Sequence, residues 1–202
     1  GIRALLEQDP VFQVVGETGD GQEAIRLATR LRPDVLLMDV SLPGGIGGLE
    51  ATEAIVADCP GVKVIILTQY EHREYIKRAI RIGARGYLLK RSVAAKLKDA
   101  IKTVYQGQRY LHPAAAEELA ELVATGRALE EDDYDRLTPR EKQVFKLLAE
   151  GKTSRDIAKY LTISLKTAMT HRTNLMAKLN MHSRAELIRY AIRKAIISLE
   201  GP

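Results

Sequence analysis

The chain has 202 residues, of which 46% are apolar and 28% carry a charge, and its formal net charge is +5. These proportions are ordinary for folded globular domains, and the length is sufficient for two of them. No apolar run approaches the ~18 residues of a membrane span, and the N-terminal segment does not have the pattern of a signal peptide, so we expect a cytoplasmic protein without membrane contact. Cys59 is the single cysteine, and the four histidines lack ligand spacing, which argues against disulfides, zinc fingers and histidine-based metal centres.

Strand-like and helix-like segments alternate through the first half of the chain. Short runs rich in Val, Ile and Leu predict buried parallel strands, and longer periodic segments predict helices between them. The strands are predicted at 12–15, 35–38, 62–67 and 86–89, and the helices at 22–31, 49–58, 73–82 and 92–106. This alternation predicts a doubly wound α/β domain with its functional site at the carboxyl ends of the strands.

Polar residues follow three of these strands: Asp39, Thr68 and Lys90. A carboxylate can accept a phosphoryl group, a hydroxyl can hydrogen-bond a phosphoryl oxygen, and an ammonium can neutralise its charge. Each residue also has an ordinary structural explanation, as a cap, a β-branched strand residue or a solvated charge. Their joint occurrence at strand ends favours a phosphoryl site.

A connector at 112–136 carries a net charge of −6. Its first part predicts a helix that starts at His112-Pro113 and continues through 114–124. Gly126 and the acidic run at 130–135 then indicate a mobile, solvated link. An alternative is that this acidic run shields the basic module that follows it.

Helix start signals recur throughout the last third of the chain. Residues 138–141 form a capping box with proline at the first helical position, and 183–186 form another. Residues 153–156 repeat the pattern with aspartate, Ser164 can cap a further helix, and Gly151 ends the first. These signals predict four short helices that form a helix-turn-helix.

The third of these helices divides into two faces at 100° per residue. The face predicted to pack comprises Ala168, His171, Arg172, Leu175 and Leu179, and the opposite face comprises Lys166, Met169, Thr170, Thr173, Ala177 and Asn180. A helix of this kind fits the major groove of DNA, with short polar side chains at base edges and basic ones at phosphates. The predicted DNA contacts are Lys166, Met169, Thr170, Arg172, Thr173 and Lys178. An ordinary amphipathic helix is the alternative, but the +8 charge of residues 137–202 favours DNA.

The fourth predicted helix presents apolar residues at Leu187, Ile188, Ala191, Ile192 and Ala195. We expect Ile192 and the following Ile196 to remain available for a second copy, so that a homodimer binds paired DNA half-sites. Alternatively, both isoleucines close the core of the module itself.

Both halves of the chain resemble a known family. Residues 137–199 resemble the output domain of LuxR/NarL-type transcription regulators through LTPRE, EGKTSRDIA and KLNMHSRAELIRYA, although the family usually has lysine where this chain has Met169. Residues 1–111 resemble a response-regulator receiver domain, a flavodoxin-like fold, through LLMDVSLPGG, IILTQYE and ARGYLLKRS. The resemblance implies a receiver at 1–111, a linker at 112–136 and a DNA-binding domain at 137–202.

The same resemblance implies a function and assigns site residues. A two-component transcription regulator is implied, controlled by a sensor histidine kinase that phosphorylates it, with no enzymatic activity of its own. The implied roles are phosphoacceptor for Asp39, switch hydroxyl for Thr68, switch aromatic for Tyr87, charge partner for Lys90, and Mg²⁺ ligands for Asp39 and the Ser41 carbonyl.

Two features depart from the family pattern. The loop at 43–50 has one residue more than usual and is rich in glycine, so we expect it to be unusually flexible. The family's first strand and its acidic pair are absent, because Gly1 aligns inside the first helix. We therefore expect Mg²⁺ binding to be weak or absent in this chain, and either a natural upstream extension or a different pairing of the strand edges.

Two other functions compete with phosphorylation-controlled regulation. A phosphate-transferring enzyme would need a second acid/base group beside its nucleophile, which Asp39-Val40-Ser41 does not supply. A transcription factor with a degenerate receiver, independent of phosphorylation, is favoured by the missing acidic pair and opposed by the presence of Asp39, Thr68 and Lys90.

Overall fold

The computed structural model describes residues 1–69, 71, 73–125, 133–194 and 196–197. The first half contains α1 (Ile2–Glu7), α2 (Gly21–Leu31), β1 (Val35–Asp39), α3 (Gly48–Asp58), β2 (Lys63–Thr68), α4 (Arg73–Arg81), β3 (Gly86–Leu89), a 3₁₀ turn (Lys90–Ser92), α5 (Val93–Tyr105), β4 (Tyr110–Leu111) and α6 (Pro113–Thr125). The second half contains α7 (Pro139–Ala149), α8 (Ser154–Tyr160), α9 (Leu165–Lys178) and α10 (Arg184–Arg193).

A parallel sheet in the order β1-β2-β3-β4 forms the centre of the first half. Helices α2, α3 and α4 pack on one face of it, around Met38, Ile55 and Ile66. Helices α1 and α5 pack on the other face, around Ile65 and Leu97. The strands carry continuous apolar runs because both of their faces are covered. The predicted doubly wound fold is confirmed.

The predicted strand at 12–15 is wrong. Residues 12–18 have no regular structure, and among the described residues 12–15 form no ladder. Phe12 and Val14 nevertheless pack against the core between the sheet and α5. The apolar residues are therefore used for packing, but a strand also needs a neighbour for its N–H and C=O groups. Within the described sheet β1 is the edge strand, and the neighbour expected between it and 12–15 is not present.

In the second half of the chain, each helix begins directly after the capping residue that the sequence predicts. Side chains of Thr138 and Thr153 complete reciprocal capping boxes, and Ser164 and Ser183 accept hydrogen bonds from the third backbone N–H beyond them. Gly151, with φ +98°, follows the first helix as predicted. The core of this half is formed by side chains from all four helices, including Val144, Phe145, Ile157, Ala168, Leu175, Leu187 and Ala191.

The C-terminal isoleucines do not behave alike. Ile196 is buried in the core of the helical half, so the expectation that it is available for a partner is wrong. Its backbone N–H bonds to the carbonyl of Ala191, which turns the chain back onto the core. Ile192 is partly exposed, and Ala195 lies outside the described residues. Among the described residues, every helix is too short or too polar to cross a membrane.

The connector is more ordered at its end than its composition predicts. Helix α6 confirms the predicted helix, while Gly126 and residues 130–132 of the acidic run lie outside the described residues. Tyr134 is buried, and Asp135 forms a salt bridge of 2.8 Å with Arg81 of α4. A solvated link is therefore the wrong description for 134–135, and Asp135 is turned towards α4 rather than shielding the basic module.

Candidate phosphoacceptor site and nucleic-acid interface

The carboxyl edge of the sheet brings the predicted polar residues together. Asp39 pairs with Leu67 in the β1–β2 register, and Thr68 pairs with Leu89 in the β2–β3 register. Lys90 follows Leu89 directly, and its Nζ lies 2.5 Å from Oδ2 of Asp39. Both side chains are about one-third exposed, at 33% for Asp39 and 32% for Lys90. The carboxylate is thus open to a reactant on one side and neutralised on the other.

A backbone contact fixes the second oxygen of the carboxylate. The N–H of Ser41 donates to Oδ1 of Asp39 at 2.9 Å. The chain turns sharply after β1 to make this contact, and it re-enters a helix at Gly48. A Cβ at Gly48 would lie 1.9 Å from the carbonyl oxygen of Asp39, so only glycine allows α3 to start against the end of β1.

Thr68 and Tyr87 form a buried pair behind the carboxylate. Both residues are almost fully buried, and their hydroxyl groups share a hydrogen bond. Burial raises the pKa of Tyr87 above its usual range, and the bond to Thr68 only partly opposes this effect. Tyr87 therefore remains a neutral phenol whose position depends on the Thr68 hydroxyl. The two residues predicted as switch hydroxyl and switch aromatic are in direct contact.

The glycine-rich loop is packed rather than free. Gly45 and Gly47 are buried, and Gly45 lies beneath Leu147 and Tyr160 of the helical half. Gly44 adopts φ +91°, and a Cβ there would lie 2.1 Å from the Tyr160 hydroxyl. The glycine content of this loop predicts unusual flexibility, but the second half of the chain covers the loop and packs against it.

The residues around Asp39 do not fit a complete Mg²⁺ site. Hard divalent cations prefer several oxygen ligands. Both carboxylate oxygens of Asp39 already have partners, in Lys90 and in the Ser41 N–H. In the part of the chain that the structure describes, no group of three His, Cys, Asp or Glu side chains is placed to hold a metal. Among the described residues, the ligands predicted for Mg²⁺ are the Asp39 carboxylate and the Ser41 carbonyl, which are fewer oxygens than such a cation prefers.

The predicted groove-facing side of α9 is exposed. Lys166, Met169, Thr170 and Thr173 line a shallow open depression with Leu165 and Asn174. Each threonine hydroxyl donates to the carbonyl four residues earlier, which leaves its oxygen free to accept from a base edge. On the packing side, Ala168, Leu175 and Leu179 are buried as predicted and His171 partly so. Arg172 is exposed, so its assignment to the packing face is wrong. Long charged side chains at the margin of an apolar face keep their head groups in water.

Comparisons with known proteins agree with both halves. The model of the response regulator receiver domain matches residues 1–102, and that of the bacterial regulatory proteins of the luxR family matches residues 135–191. The oxygen regulatory protein NreC of Staphylococcus carnosus is 36% identical over 201 residues, which is 98% of this chain and 93% of that protein. The chain belongs to the two-component response regulators of the LuxR type.

Solved structures of other response regulators support the same assignment. RcsB from Salmonella typhimurium is 27% identical with a TM-score of 0.55, covering 94% of this chain and 90% of that one. An RcsB–DNA complex is 28% identical with a TM-score of 0.54, covering 96% and 91%. A LuxR-family response regulator from Aurantimonas is 37% identical with a TM-score of 0.54, covering 60% and 86%. The order of receiver and DNA-binding domain is shared along nearly the whole chain.

In this response regulator, Lys178 has a structural partner that the sequence pattern did not indicate. Its Nζ lies 2.8 Å from Oε2 of Glu141, the capping glutamate of α7. Burial raises the pKa of Glu141, but the bonds from Lys178 and from Thr138 outweigh this effect and lower it. Lys178 therefore ties the end of α9 to the start of α7, and its predicted phosphate contact would have to share the ammonium with Glu141.

Several functional candidates were missed because they lie between the two halves. Tyr134 bonds to Glu50 of α3, and Lys142 and Lys146 of α7 reach the first half of the chain. A signal was present in the sequence, since the two lysines are four residues apart on a helix face that is otherwise apolar. Lysines on a buried face require partners: the receiver supplies Glu53 for Lys142 and the Leu42 carbonyl for Lys146, and Lys146 also pairs with Glu150 of its own helix at 3.5 Å.

Proposed function

We propose that this response regulator controls transcription by binding promoter DNA through α9, and that a sensor histidine kinase switches it by phosphorylating Asp39. The observation that carries the proposal is the contact between Asp39 and Lys90 at the carboxyl edge of the sheet, at 2.5 Å. The exposed, basic α9 in the same chain supplies the output. We propose a cytoplasmic protein, and regulators of these families are generally not enzymes.

The proposed transfer breaks the P–N bond of a phosphohistidine and forms a P–O bond to a carboxylate oxygen of Asp39. The leaving imidazole takes up a proton from solvent. The Lys90 ammonium offsets the added negative charge, and Thr68 would turn its hydroxyl to a phosphoryl oxygen. Because Tyr87 shares a hydrogen bond with Thr68, that movement would also reposition Tyr87. The local change at Asp39 would in this way reach the core of the receiver.

Pairing on DNA is also proposed for this chain. The solved relatives include RcsB dimers bound to DNA. A single α9 covers only a few base pairs, so two copies on paired half-sites would increase the area of contact. Partly exposed Ile192 remains a candidate contact between copies, whereas Ile196 does not.

We predict that DNA binding by the full chain weakens steeply with salt, because each neutralised phosphate releases counterions. Replacing Lys166 or Arg172 by Ala should weaken binding to all sequences. Thr170→Ala or Thr173→Ala should instead change the preference at one base position by roughly 1–3 kcal/mol. Fluorescence anisotropy over a salt series and a set of single-base variants measures both effects. Lys96→Ala, on the exposed side of α5, is the control; binding that does not depend on salt would contradict the proposal.

We predict that Asp39 in this 202-residue chain accepts phosphate slowly, because one carboxylate and a carbonyl hold Mg²⁺ poorly. Intact mass after incubation with acetyl phosphate and Mg²⁺ should show a slow gain of one phosphoryl group that Asp39→Asn abolishes. An added N-terminal strand that ends in two acidic residues should raise the rate. Rapid Mg²⁺-dependent phosphorylation of the unextended chain would show this prediction to be wrong.

The second candidate is a transcription factor whose receiver works without phosphorylation. The observation that favours it is that both carboxylate oxygens of Asp39 already have partners, in Lys90 and in the Ser41 N–H. The same mass measurement decides between the two functions, provided that DNA binding is measured in parallel. No phosphoryl gain under any condition, together with unimpaired DNA binding by Asp39→Asn, would establish the second candidate.

A further inference from the structure

The exposed side of α9 carries two large apolar side chains. Leu165 is 42% exposed and Met169 54% exposed, and they lie four residues apart, so they are neighbours on the helix surface. Neither belongs to the described hydrophobic core of the second half of the chain. Single exposed apolar residues are ordinary, but two side by side on the surface proposed to bind DNA indicate contact with an apolar group of the ligand.

Thr173 extends this pair by one further turn. It is exposed, and its hydroxyl donates to the Met169 carbonyl at 3.1 Å. Because the hydroxyl hydrogen is engaged within the helix, the side chain can offer a ligand an acceptor oxygen and a methyl group, but no donor. Leu165, Met169 and Thr173 are called the apolar row below.

The surface beside the apolar row has few hydrogen-bond donors. Thr170 donates its hydroxyl hydrogen to the Lys166 carbonyl at 3.0 Å, so it too can only accept. Of the six described residues that line the depression on α9, Lys166 and Asn174 are the ones with side-chain donors to spare. Guanine presents two acceptors in the major groove, N7 and O6, and is read by donors. The apolar row cannot read guanine in this way.

Thymine has an apolar group that fits this surface. Its C5 methyl lies in the major groove, where apolar side chains can contact it. The unbranched side chain of Met169 can adapt its shape to such a group. Burial of one methyl-sized apolar group raises affinity by roughly fourfold. A row of apolar side chains on the recognition helix can therefore distinguish thymine from the other bases.

The charges around the apolar row favour DNA as its occupant. Helix α9 is described throughout and contains no Asp or Glu, whereas Lys166, Arg172 and Lys178 carry positive charge. Residues 137–202 together carry a net charge of +8. Such a surface attracts a polyanion, while a second copy of the same basic surface would be repelled. The apolar row is therefore matched to duplex DNA rather than to another copy of α9.

We infer that the apolar row reads thymine methyl groups, with Met169 and Leu165 packing against the C5 methyl of thymine in the DNA site. Lys166 and Arg172 position the helix on phosphates. Thr170 accepts a hydrogen bond from an adenine or cytosine amino group beside the thymine. The inference names the base chemistry of the DNA site and in that respect rests on the proposed function.

The test removes methyl groups from the DNA without changing its base pairing. Duplexes that the full chain binds most tightly are selected from a randomised library, and each thymine is then replaced singly by deoxyuracil, which lacks only the C5 methyl. At one or more thymines the parent should lose affinity by roughly fourfold. Met169→Ala should abolish that loss, because methyl and side chain then no longer interact. Val123→Ala, at an exposed apolar position on α6, is the matched control and should behave like the parent.

Three further measurements separate the methyl contact from an effect on folding. Met169→Leu keeps an apolar side chain and should keep the sensitivity to deoxyuracil. Met169→Lys introduces an ammonium donor and should move the preferred base at that position from thymine to guanine. Met169→Ala should bind the deoxyuracil duplex about as well as the parent does, which shows that the variant is folded.

Failure of the inference and failure of the proposed function give different results. Absence of salt-dependent binding to any duplex would contradict the proposed function, and the inference with it. Salt-dependent binding that is insensitive to deoxyuracil, or equally sensitive in the parent and in Met169→Ala, overturns the inference alone. Light scattering tests for a second copy as the occupant, and self-association of the parent that Met169→Ala abolishes would also overturn it.

Discussion

Arg78→Met should lower the free energy of unfolding by about 3–5 kcal/mol, because it leaves a buried carboxylate without its counter-charge. Arg78 is 6% exposed, and its Nη2 lies 2.6 Å from Oε1 of Glu50. The Tyr134 hydroxyl donates to the same oxygen at 2.9 Å, and the Arg78 guanidinium lies 4.9 Å from the centre of the Tyr134 ring. Loss of the arginine therefore disturbs α3, α4 and the residue that anchors the DNA-binding domain.

The pH dependence gives this prediction a second readout. Burial of Glu50 raises its pKa, but Arg78, together with hydrogen bonds from backbone and Tyr134, outweighs burial and holds the pKa at about 2, below the ordinary 4.5. A depressed pKa in the folded state adds stability above pH 4.5 that is lost as the pH falls towards 2. In Arg78→Met burial acts without the arginine, so the pKa of Glu50 should rise and the stability deficit should shrink on acidification.

Urea denaturation at pH 7 and pH 4.5 measures both effects. Arg26→Met is the matched control, since Arg26 forms a surface pair with Glu23 on α2 and is 66% exposed. Exposed pairs of this kind contribute little, so the control should resemble the parent at both pH values. A stability loss for Arg78→Met no larger than that of the control would mean that the buried pair does not stabilise the protein.

Most of the fold and the receiver site could be predicted from local signals. Helix caps act within one turn of their helices, so they can be identified from the neighbouring residues alone. This holds for Thr138, Thr153, Ser164 and Ser183. Apolar runs mark the strands that are buried on both faces. The meeting of Asp39 with Lys90 follows from parallel strands, because their carboxyl ends share one edge of the sheet.

The rest depends on partners that periodicity does not reveal. Residues 12–15 have the composition of a strand, yet a strand forms only beside another strand. Tyr134 lies in an acidic segment whose composition predicts a solvated link, yet it is buried and bonds to Glu50 of the receiver. The opposite error occurs at Arg172. A helical wheel with 100° per residue places it on the packing face, whereas the residue is exposed. Such outcomes are decided by tertiary packing, which local sequence does not contain.

One added methyl group at Gly48 should destabilise the receiver strongly, because backbone atoms surround this position. Gly48→Ala should lower the free energy of unfolding by about 3 kcal/mol, towards the upper range for overpacking of a buried position. An added Cβ would lie 1.9 Å from the Asp39 carbonyl oxygen, 2.7 Å from its carbon and 2.9 Å from Cα of Val40. All three atoms belong to the backbone, so no side chain can rotate to relieve the contact.

Relief requires that the start of α3 move away from the end of β1. That movement would lengthen the bond from the Gly48 N–H to the Val40 carbonyl, which is already 3.3 Å, and displace Asp39 from Lys90. Gly48→Ala should therefore also reduce phosphoryl uptake at Asp39, even under conditions in which the variant remains folded. Gly61→Ala is the control, because a Cβ at Gly61 meets nothing within 4 Å. Denaturant midpoints and intact mass after acetyl phosphate measure the two effects, and a Gly48→Ala protein as stable as Gly61→Ala would refute the requirement for glycine at this junction.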